Sequence, residues 1–222
     1  MMTVRAKICG LTRATDVQAA VAAGVDAIGL VFYPPSPRAV SAEQAAELVK
    51  QISPFVQAVG LFVNASITEI QQVLAAVPLD LLQLHGDETP QQCQAIGQAT
   101  GRRWIKALQM RPDLDVLAEI GAFAAAGASG ILLDAWHPDL KGGTGHAFDW
   151  SRWPRTDLPL ILAGGLTAEN VSAAIAQTQP YAVDVSGGVE QIDSVTGKPQ
   201  KGVKDSMFMQ QFMVGVRHDN VR

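Results

Sequence analysis

The chain has 222 residues, 48% of them hydrophobic and 17% charged, and its formal net charge at pH 7 is −4. This length supports one large core, and the acidic balance argues against nucleic acid as a partner. The N-terminus lacks the apolar stretch of a signal peptide and no apolar run approaches the roughly 20 residues that span a bilayer, so we expect a cytoplasmic protein with no membrane partner.

Short apolar runs alternate along the whole chain with segments whose apolar residues recur at helical spacing. The runs are almost unbroken, which is typical of strands that are covered on both faces. Capping-box pairs at Ser41 and Gln44 and at Ser66 and Glu69, and a further N-cap at Thr167, mark helix starts. Strands are predicted over residues 4–8, 26–32, 56–63, 79–84, 104–108, 130–134, 159–163 and 181–185. Helices follow them, including a short one near 149–153 and a final one over 203–216.

This repeat predicts an α/β fold, a (β/α)8 TIM barrel of eight parallel strands that occupies residues 1–222 as a single domain. Each unit averages about 28 residues, close to the length of a βαβ repeat. The alternative, an open doubly wound sheet, would place a glycine-rich turn after an early strand. In this chain the paired glycines follow the seventh and eighth strands, which favours the barrel.

The first strand leads to Cys9, directly before Gly10 and the predicted N-cap Thr12. A reactive side chain just before a βα turn lies where barrel enzymes place their chemistry. Cysteine is also a common apolar filler, so the residue alone is either a catalytic thiol or part of the core. Cys93, inside a predicted helix, is interpreted as an inert thiol, and two isolated cysteines indicate a reducing compartment.

Paired glycines follow the two strands whose loops commonly hold phosphate in such barrels. Gly164 and Gly165 follow the seventh strand, and Ser186, Gly187 and Gly188 follow the eighth. Glycine lets the backbone approach an anion, and the N–H groups ahead of a helix carry partial positive charge. Glycines also simply form tight turns, but two pairs in adjacent loops predict a phosphate site and therefore a phosphorylated small molecule as the partner.

Two carboxylates lie in predicted strands. Asp134 follows a wholly apolar run at the carboxyl end of the sixth strand, where it is a candidate general acid or base, or alternatively a residue that fixes a loop. Asp184 lies within the eighth strand and needs a partner, either a ligand hydroxyl or a buried cation. Lys7, which shares a face of the first strand with Cys9, is a plausible cation for that pair.

Two further side chains are predicted at the same rim. Arg38, in a proline-stiffened loop after the second strand, could bind a carboxylate through its planar guanidinium. His85 follows the fourth strand, where we interpret it as a structural histidine rather than a base. No histidine–cysteine cluster has the spacing of metal ligands, so no metal is predicted.

Seven segments between residue 7 and about residue 205 match, in order, the motifs of one family. They are Lys7-Ile8-Cys9-Gly10-Leu11-Thr12, Phe32-Tyr33-Pro34 with Arg38, Leu82-Gln83-Leu84-His85-Gly86, Leu133-Asp134, Gly142-Gly143-Thr144-Gly145, Ala163-Gly164-Gly165-Leu166 and Val183-Asp184-Val185-Ser186. Together they resemble phosphoribosylanthranilate isomerase, an enzyme of tryptophan biosynthesis. This family converts N-(5-phosphoribosyl)anthranilate to 1-(2-carboxyphenylamino)-1-deoxyribulose 5-phosphate by an Amadori rearrangement, without a cofactor.

The resemblance implies a role for each predicted site residue. Asp134 would be the general acid that protonates the ribose ring oxygen and opens the ring to an iminium. Cys9 would be the general base that removes the proton from the neighbouring carbon, giving an enolamine that tautomerises to the ketone. Arg38 would bind the anthranilate carboxylate, Asp184 a ribose hydroxyl, and His85 is placed among the substrate-binding residues. The phosphate would bind at Gly164, Gly165, Ser186, Gly187 and Gly188.

Two features depart from the family pattern. Gly187 stands where many members carry serine, which removes a hydroxyl and keeps the backbone N–H. The segment 191–202 is longer than the compact turn of the family. The alternatives are another phosphosugar isomerase, of the histidine-pathway type that carries aspartate at the position of Cys9, and a non-catalytic phospho-ligand-binding barrel. Either a monomer or a homodimer is compatible with the sequence.

Overall fold

Eight parallel strands close into a barrel, which confirms the predicted fold. A computed structural model describes residues 3–135 and 150–218. Every strand begins and ends within two residues of its predicted bounds. The strands are β1 (Arg5–Cys9), β2 (Ala27–Val31), β3 (Gln57–Phe62), β4 (Leu81–Leu84), β5 (Arg103–Gln109), β6 (Ile131–Asp134), β7 (Leu160–Leu162) and β8 (Ala182–Val185).

Helices cover the outside of the barrel and pack on the outward side chains of the strands. They are α1 (Ala14–Ala23), α2 (Ala42–Val49), α3 (Ile67–Ala76), α4 (Pro90–Thr100), α5 (Val116–Ala125), α6 (Val171–Thr178) and α7 (Ser206–His218). The short helix expected near 149–153 is a 3-10 turn at Trp150–Arg152, with residue 149 outside the described residues. Within residues 3–135 and 150–218, no helix is long and apolar enough to cross a membrane.

A smaller apolar cluster fills part of the barrel interior. Strand residues alternate between two faces, so those that point away from the helices point into the barrel. The cluster consists of Ile105, Ala107, Leu132, Ile161, Ala163 and Ala182. Its members lie in the four neighbouring strands β5 to β8 or, for Ala163, directly after β7, and the interior near β1 and β4 instead holds polar side chains.

One of the two predicted capping boxes forms completely. At α3 the Ser66 hydroxyl accepts from the backbone N–H of Glu69, and the Glu69 carboxylate accepts from the backbone N–H of Ser66. At α2 the Ser41 hydroxyl accepts from the backbone N–H of Gln44 at 3.1 Å. The Gln44 side chain does not return the bond, because its amide donates to the Thr12 carbonyl at 2.7 Å.

Two predicted N-caps are wrong. Arg13 occupies the N-cap position of α1, and the Thr12 hydroxyl donates to the Gly202 carbonyl at 2.5 Å. At α6 the N-cap position belongs to Asn170, whose side-chain oxygen accepts from the backbone N–H of Thr167. Both threonines therefore take part in loop contacts near the carboxyl end of the barrel, which local sequence does not reveal.

The long segment after β8 folds as an antiparallel hairpin. Its strands are β9 (Glu190–Ile192) and β10 (Pro199–Lys204). The predicted start of the last helix at residue 203 is wrong, because β10 continues to residue 204. Asp205 then caps α7 by accepting from the backbone N–H of Met207 at 2.8 Å. The extra residues thus form ordered structure beside the barrel mouth.

We expect Ser66→Ala to lower the free energy of unfolding by about 1 kcal/mol, because it removes the hydroxyl of the capping box at α3. Urea unfolding followed by circular dichroism measures the loss. Thr68→Ala, an exposed change in the same first turn, is the control and should be neutral or slightly stabilising. Equal losses in the two variants would contradict this account of the helix start.

Candidate active site

A buried ion pair lies inside the barrel where the first and last strands meet. Lys7 Nζ donates to Asp184 Oδ1 at 2.7 Å, and the two side chains are 7% and 9% exposed. The two residues are direct neighbours in the β1–β8 register, so closure of the barrel itself brings them together. The cation predicted for Asp184 is therefore Lys7, whereas a bond from Asp184 to a ligand hydroxyl stays a prediction.

Cys9 ends β1 two residues beyond Lys7, on the same face of the strand. The residue is 5% exposed and packs in a small apolar cluster with Val31 and Leu61. Gly29 on β2 provides the space for the thiol, since a Cβ at that position would lie 2.6 Å from the Cys9 sulfur. The thiol is thus held at the carboxyl end of the barrel against two neighbouring strands.

The electrostatics of Cys9 are set by burial and by Lys7. Burial raises the pKa of the Cys9 thiol, and the Lys7 ammonium acts in the opposite direction. Burial would lower the pKa of Lys7, but the charges of Asp184 and Cys9 outweigh burial and raise it. Lys7 therefore remains an ammonium, and it is the group able to stabilise a Cys9 thiolate.

Asp134 ends β6 and faces His85, which directly follows β4. The distance from His85 Nε2 to Asp134 Oδ2 is 3.5 Å, and Asp134 is buried. On the other side of the ring, His85 Nδ1 lies 2.9 Å from the amide nitrogen of Gln83. A hydrogen bond donated by that amide leaves Nε2 as the protonated nitrogen, directed at the carboxyl group. His85 is therefore positioned by the protein as predicted, and its contact with a substrate stays a prediction.

These groups lie within electrostatic range of one another. The Asp184 carboxyl, whose pKa is raised by burial and lowered by Lys7, is also affected by the charges of Asp134 and His85. Together with Cys9, they place a thiol and a carboxyl group around one end of the barrel. Such an arrangement can move two protons on one small molecule. The Gly142-Gly143-Thr144-Gly145 motif lies outside the described residues.

Arg38 is bound by a carboxylate of the protein itself. Its Nε and Nη2 donate to the two carboxylate oxygens of Glu190 at 2.6 and 2.9 Å. Lys204 Nζ lies 3.4 Å from the same carboxylate and donates to the Ser186 carbonyl at 2.9 Å. Sequence analysis missed Glu190 and Lys204, and the only available signal was that a rim arginine requires a counter-charge.

The two glycine loops that were predicted to bind phosphate pack on each other. Gly164 and Gly165 adopt φ values of +87° and +66°, in the region that glycine favours. Gly188 lies against the Leu166 carbonyl, where a side chain would not fit. The two loops therefore lie together at the carboxyl ends of β7 and β8, and phosphate binding to their backbone N–H groups stays a prediction.

The second cysteine is buried outside this group of residues. Cys93 lies in α4 with its sulfur 3.9 Å from the Glu88 carbonyl, and burial raises the pKa of its thiol to about 11. The interpretation of Cys93 as an inert thiol agrees with this environment. In the part of the chain that the structure describes, no three His, Cys, Asp or Glu side chains are grouped to hold a metal ion.

Comparison with known proteins places the chain in one family. The family model described as N-(5'phosphoribosyl)anthranilate (PRA) isomerase matches residues 6–214. The N-(5'-phosphoribosyl)anthranilate isomerase of Acinetobacter calcoaceticus is 61% identical over 216 residues, which cover 97% of this chain and 98% of the relative.

Two solved structures share the fold over nearly their whole length. The phosphoribosyl anthranilate isomerase of Thermotoga maritima is 36% identical, with a TM-score of 0.80 over 97% of this chain and 99% of that one. A phosphoribosyl anthranilate isomerase solved in complex with reduced 1-(o-carboxyphenylamino)-1-deoxyribulose 5-phosphate is 34% identical, with a TM-score of 0.76 and the same two coverages.

We expect Lys7→Met to lower the free energy of unfolding by about 3 kcal/mol, because it leaves the buried Asp184 carboxylate without its partner. Chemical denaturation at pH 7 measures the loss. Burial raises the pKa of Asp184, so protonation of this carboxyl should return part of the stability of the variant as the pH falls toward 5.

The double variant Lys7→Met/Asp184→Asn is the control for this prediction, since it removes the unpaired charge and should be more stable than Lys7→Met alone. A Lys7→Met protein as stable as the parent protein would show that the pair is not needed for folding.

We expect the Cys93 thiol to resist alkylation in the folded protein, because it is buried and its pKa is raised to about 11. A Cys9→Ala variant isolates this thiol, and mass spectrometry after iodoacetamide treatment at pH 7.5 follows it. The same sample in urea is the control and should be labelled fully. Rapid labelling without denaturant would contradict the buried environment.

Proposed function

The chain belongs to the N-(5'-phosphoribosyl)anthranilate isomerase family, isomerases of tryptophan biosynthesis, and we propose that its reaction uses Asp134 as general acid and Cys9 as general base. The substrate is N-(5'-phosphoribosyl)anthranilate, and the product is 1-(2-carboxyphenylamino)-1-deoxyribulose 5-phosphate. The observation that carries this proposal is the placement of a thiol beside an ammonium and of a carboxyl group beside a histidine at one end of the barrel.

The first step is ring opening. Asp134 in its protonated form donates to the ribose ring oxygen as the bond from that oxygen to the anomeric carbon breaks. The nitrogen lone pair of the anthranilate forms the new double bond, so the intermediate is an iminium cation. His85 Nε2 lies 3.5 Å from Asp134, and its N–H stabilises the Asp134 carboxylate that remains after the proton has left.

The second step is removal of the proton from the carbon next to the iminium. The positive charge of the iminium makes this proton more acidic, and it also favours a thiolate close to it. Cys9 acts as the thiolate: burial raises the pKa of this thiol, and the Lys7 ammonium works in the opposite direction by stabilising the anion. The sulfur accepts the carbon-bound proton and becomes the thiol, while the electron pair of the broken C–H bond forms the carbon–carbon double bond. The enolamine that results tautomerises to the ketone of the product.

The remaining residues bind the two anionic ends of the substrate. The phosphate accepts from the backbone of the loops at Gly164-Gly165 and Ser186-Gly187-Gly188. The anthranilate carboxylate binds Arg38 through Nη1, the nitrogen that Glu190 leaves unused among the described residues. A ribose hydroxyl binds Asp184. No step requires a cofactor, because the iminium supplies the electron sink within the substrate itself.

Two other functions are less well supported by these residues. A histidine-pathway isomerase of the same architecture would carry aspartate at the position of Cys9. A non-catalytic binder would need neither the thiol nor the Asp134 carboxyl group, and both are held in defined environments here. A turnover assay with each of the two substrates separates the three functions directly.

We expect Cys9→Ala and Asp134→Asn each to reduce kcat by at least about 100-fold, since each removes one proton-transfer group. The loss of anthranilate-type fluorescence on addition of freshly made phosphoribosylanthranilate measures turnover. Gln18→Ala, an exposed change in α1, is the control and should retain full activity. Near-normal turnover in either variant, with circular dichroism unchanged, would exclude the proposed acid–base pair.

A further inference from the structure

Glu190 is an unusual carboxylate because it is fully buried between two cations. Its side chain is 0% exposed, and the Arg38 side chain that binds it is 12% exposed. The bonds of 2.6 and 2.9 Å engage the Nε–Nη2 edge of the guanidinium in a bidentate pair, the geometry that fixes an arginine most firmly. The acid–base steps above do not use Glu190.

The rest of the Arg38 side chain lies against the turn that follows the first strand. A Cβ at Gly10 would lie 2.5 Å from Arg38 Cδ, so the stem of the arginine crosses this glycine in close contact. Gly10 adopts a φ of +75° and directly follows Cys9. The guanidinium is thus held from two sides, by Gly10 under its stem and by Glu190 at its head, next to the catalytic strand.

Glu190 is itself fixed by the hairpin that follows the eighth strand. The backbone N–H of Gly202 donates to its Oε1 at 2.9 Å, and Lys204 Nζ lies 3.4 Å from the same atom. The hairpin is tied to the barrel in turn, because the backbone N–H of Lys204 donates to Asp16 at 3.0 Å. The support for Arg38 therefore reaches across from the loop after β8 to the loop after β2.

The charges of this cluster favour one more anion. Burial raises the pKa of Glu190, but bonds from Arg38, Lys204 and Gly202 outweigh burial and lower it, so this residue is a carboxylate. Burial lowers the pKa of Lys204 to about 8, and at neutral pH it remains mostly protonated. Two cations thus share one carboxylate, which leaves one positive charge in excess. A second carboxylate, bound at Nη1 of Arg38, would neutralise that charge.

We propose that Glu190 is a positioning residue for the substrate: it holds the Nε–Nη2 edge of Arg38 so that Nη1 is presented to the anthranilate carboxylate. This inference rests on the proposed function, in which Arg38 binds that carboxylate. In this proposal Glu190 acts through Arg38 and takes no part in the acid–base steps. The long hairpin after β8 thereby contributes to substrate recognition through the loop after β2.

The test compares two ligands that differ only in the carboxylate. They are reduced 1-(o-carboxyphenylamino)-1-deoxyribulose 5-phosphate and its phenylamino counterpart, and titration calorimetry gives Kd for both. Glu190→Gln should weaken binding of the carboxylated ligand by about tenfold, because the amide keeps only one acceptor oxygen and the bidentate pair donated by Arg38 is lost. Binding of the ligand without a carboxylate should change by less than about twofold.

Three further variants make the result specific. Arg38→Met should give the same selective loss, and adding Glu190→Gln to it should have little additional effect, since the two residues act as one unit. Glu190→Asp keeps the charge but shortens the reach, and it replaces Glu190→Gln if that protein does not fold. Glu47→Gln, at an exposed ion pair with Lys50, is the matched control and should bind both ligands normally.

The outcomes separate the inference from the proposed function. If Glu190→Gln weakens both ligands equally, or weakens neither, the positioning role is overturned, whatever Arg38→Met shows. If Arg38→Met does not discriminate between the ligands, the carboxylate role of Arg38 in the proposed function fails, and the inference fails with it. A selective loss in both variants supports both, even if the thermal midpoint falls, since a damaged fold would weaken the two ligands alike.

Discussion

The Lys7–Asp184 pair is the interaction on which the site depends. Closure of the barrel places β1 beside β8, and this register forces an ammonium and a carboxylate into the interior at 2.7 Å. Neither charge could be buried alone, since an unpaired buried ion is strongly destabilising. Burial raises the pKa of the Cys9 thiol, and the same ammonium opposes part of that rise. One residue therefore links the closing contact of the fold to the ionisation of the proposed base.

The site is built from strand ends, and loops far apart in sequence hold its side chains. Cys9 and Asp134 lie at the ends of β1 and β6, so the rigid barrel sets their positions. Arg38 lies in a loop, and its position depends on Glu190 from the hairpin after β8. A loop side chain needs such support to bind a carboxylate selectively, because an unrestrained arginine loses rotamer freedom on binding.

The hairpin after β8 adds contacts to the site beyond those made by the family motifs. The segment 191–202 is the part that sequence analysis marked as longer than the compact turn. In the structure it forms most of β10, whose Gly202 backbone and Lys204 side chain hold Glu190. Thr12, predicted as a helix cap, also contacts this hairpin, because its hydroxyl donates to the Gly202 carbonyl. The segment that departs from the family pattern by its length is thus in contact with the turn that follows Cys9.

The sequence by itself determined the barrel and the residues at its strand ends. Unbroken apolar runs, the capping box at Ser66 and the paired glycines are local signals, and local signals are sufficient to order strands and helices. Only the tertiary structure decided the partner of Arg38, which is Glu190, 152 positions away along the chain. The reason is physical: a buried charge must find its counter-charge in space, and closure of the barrel, not sequence spacing, determines which residues are near.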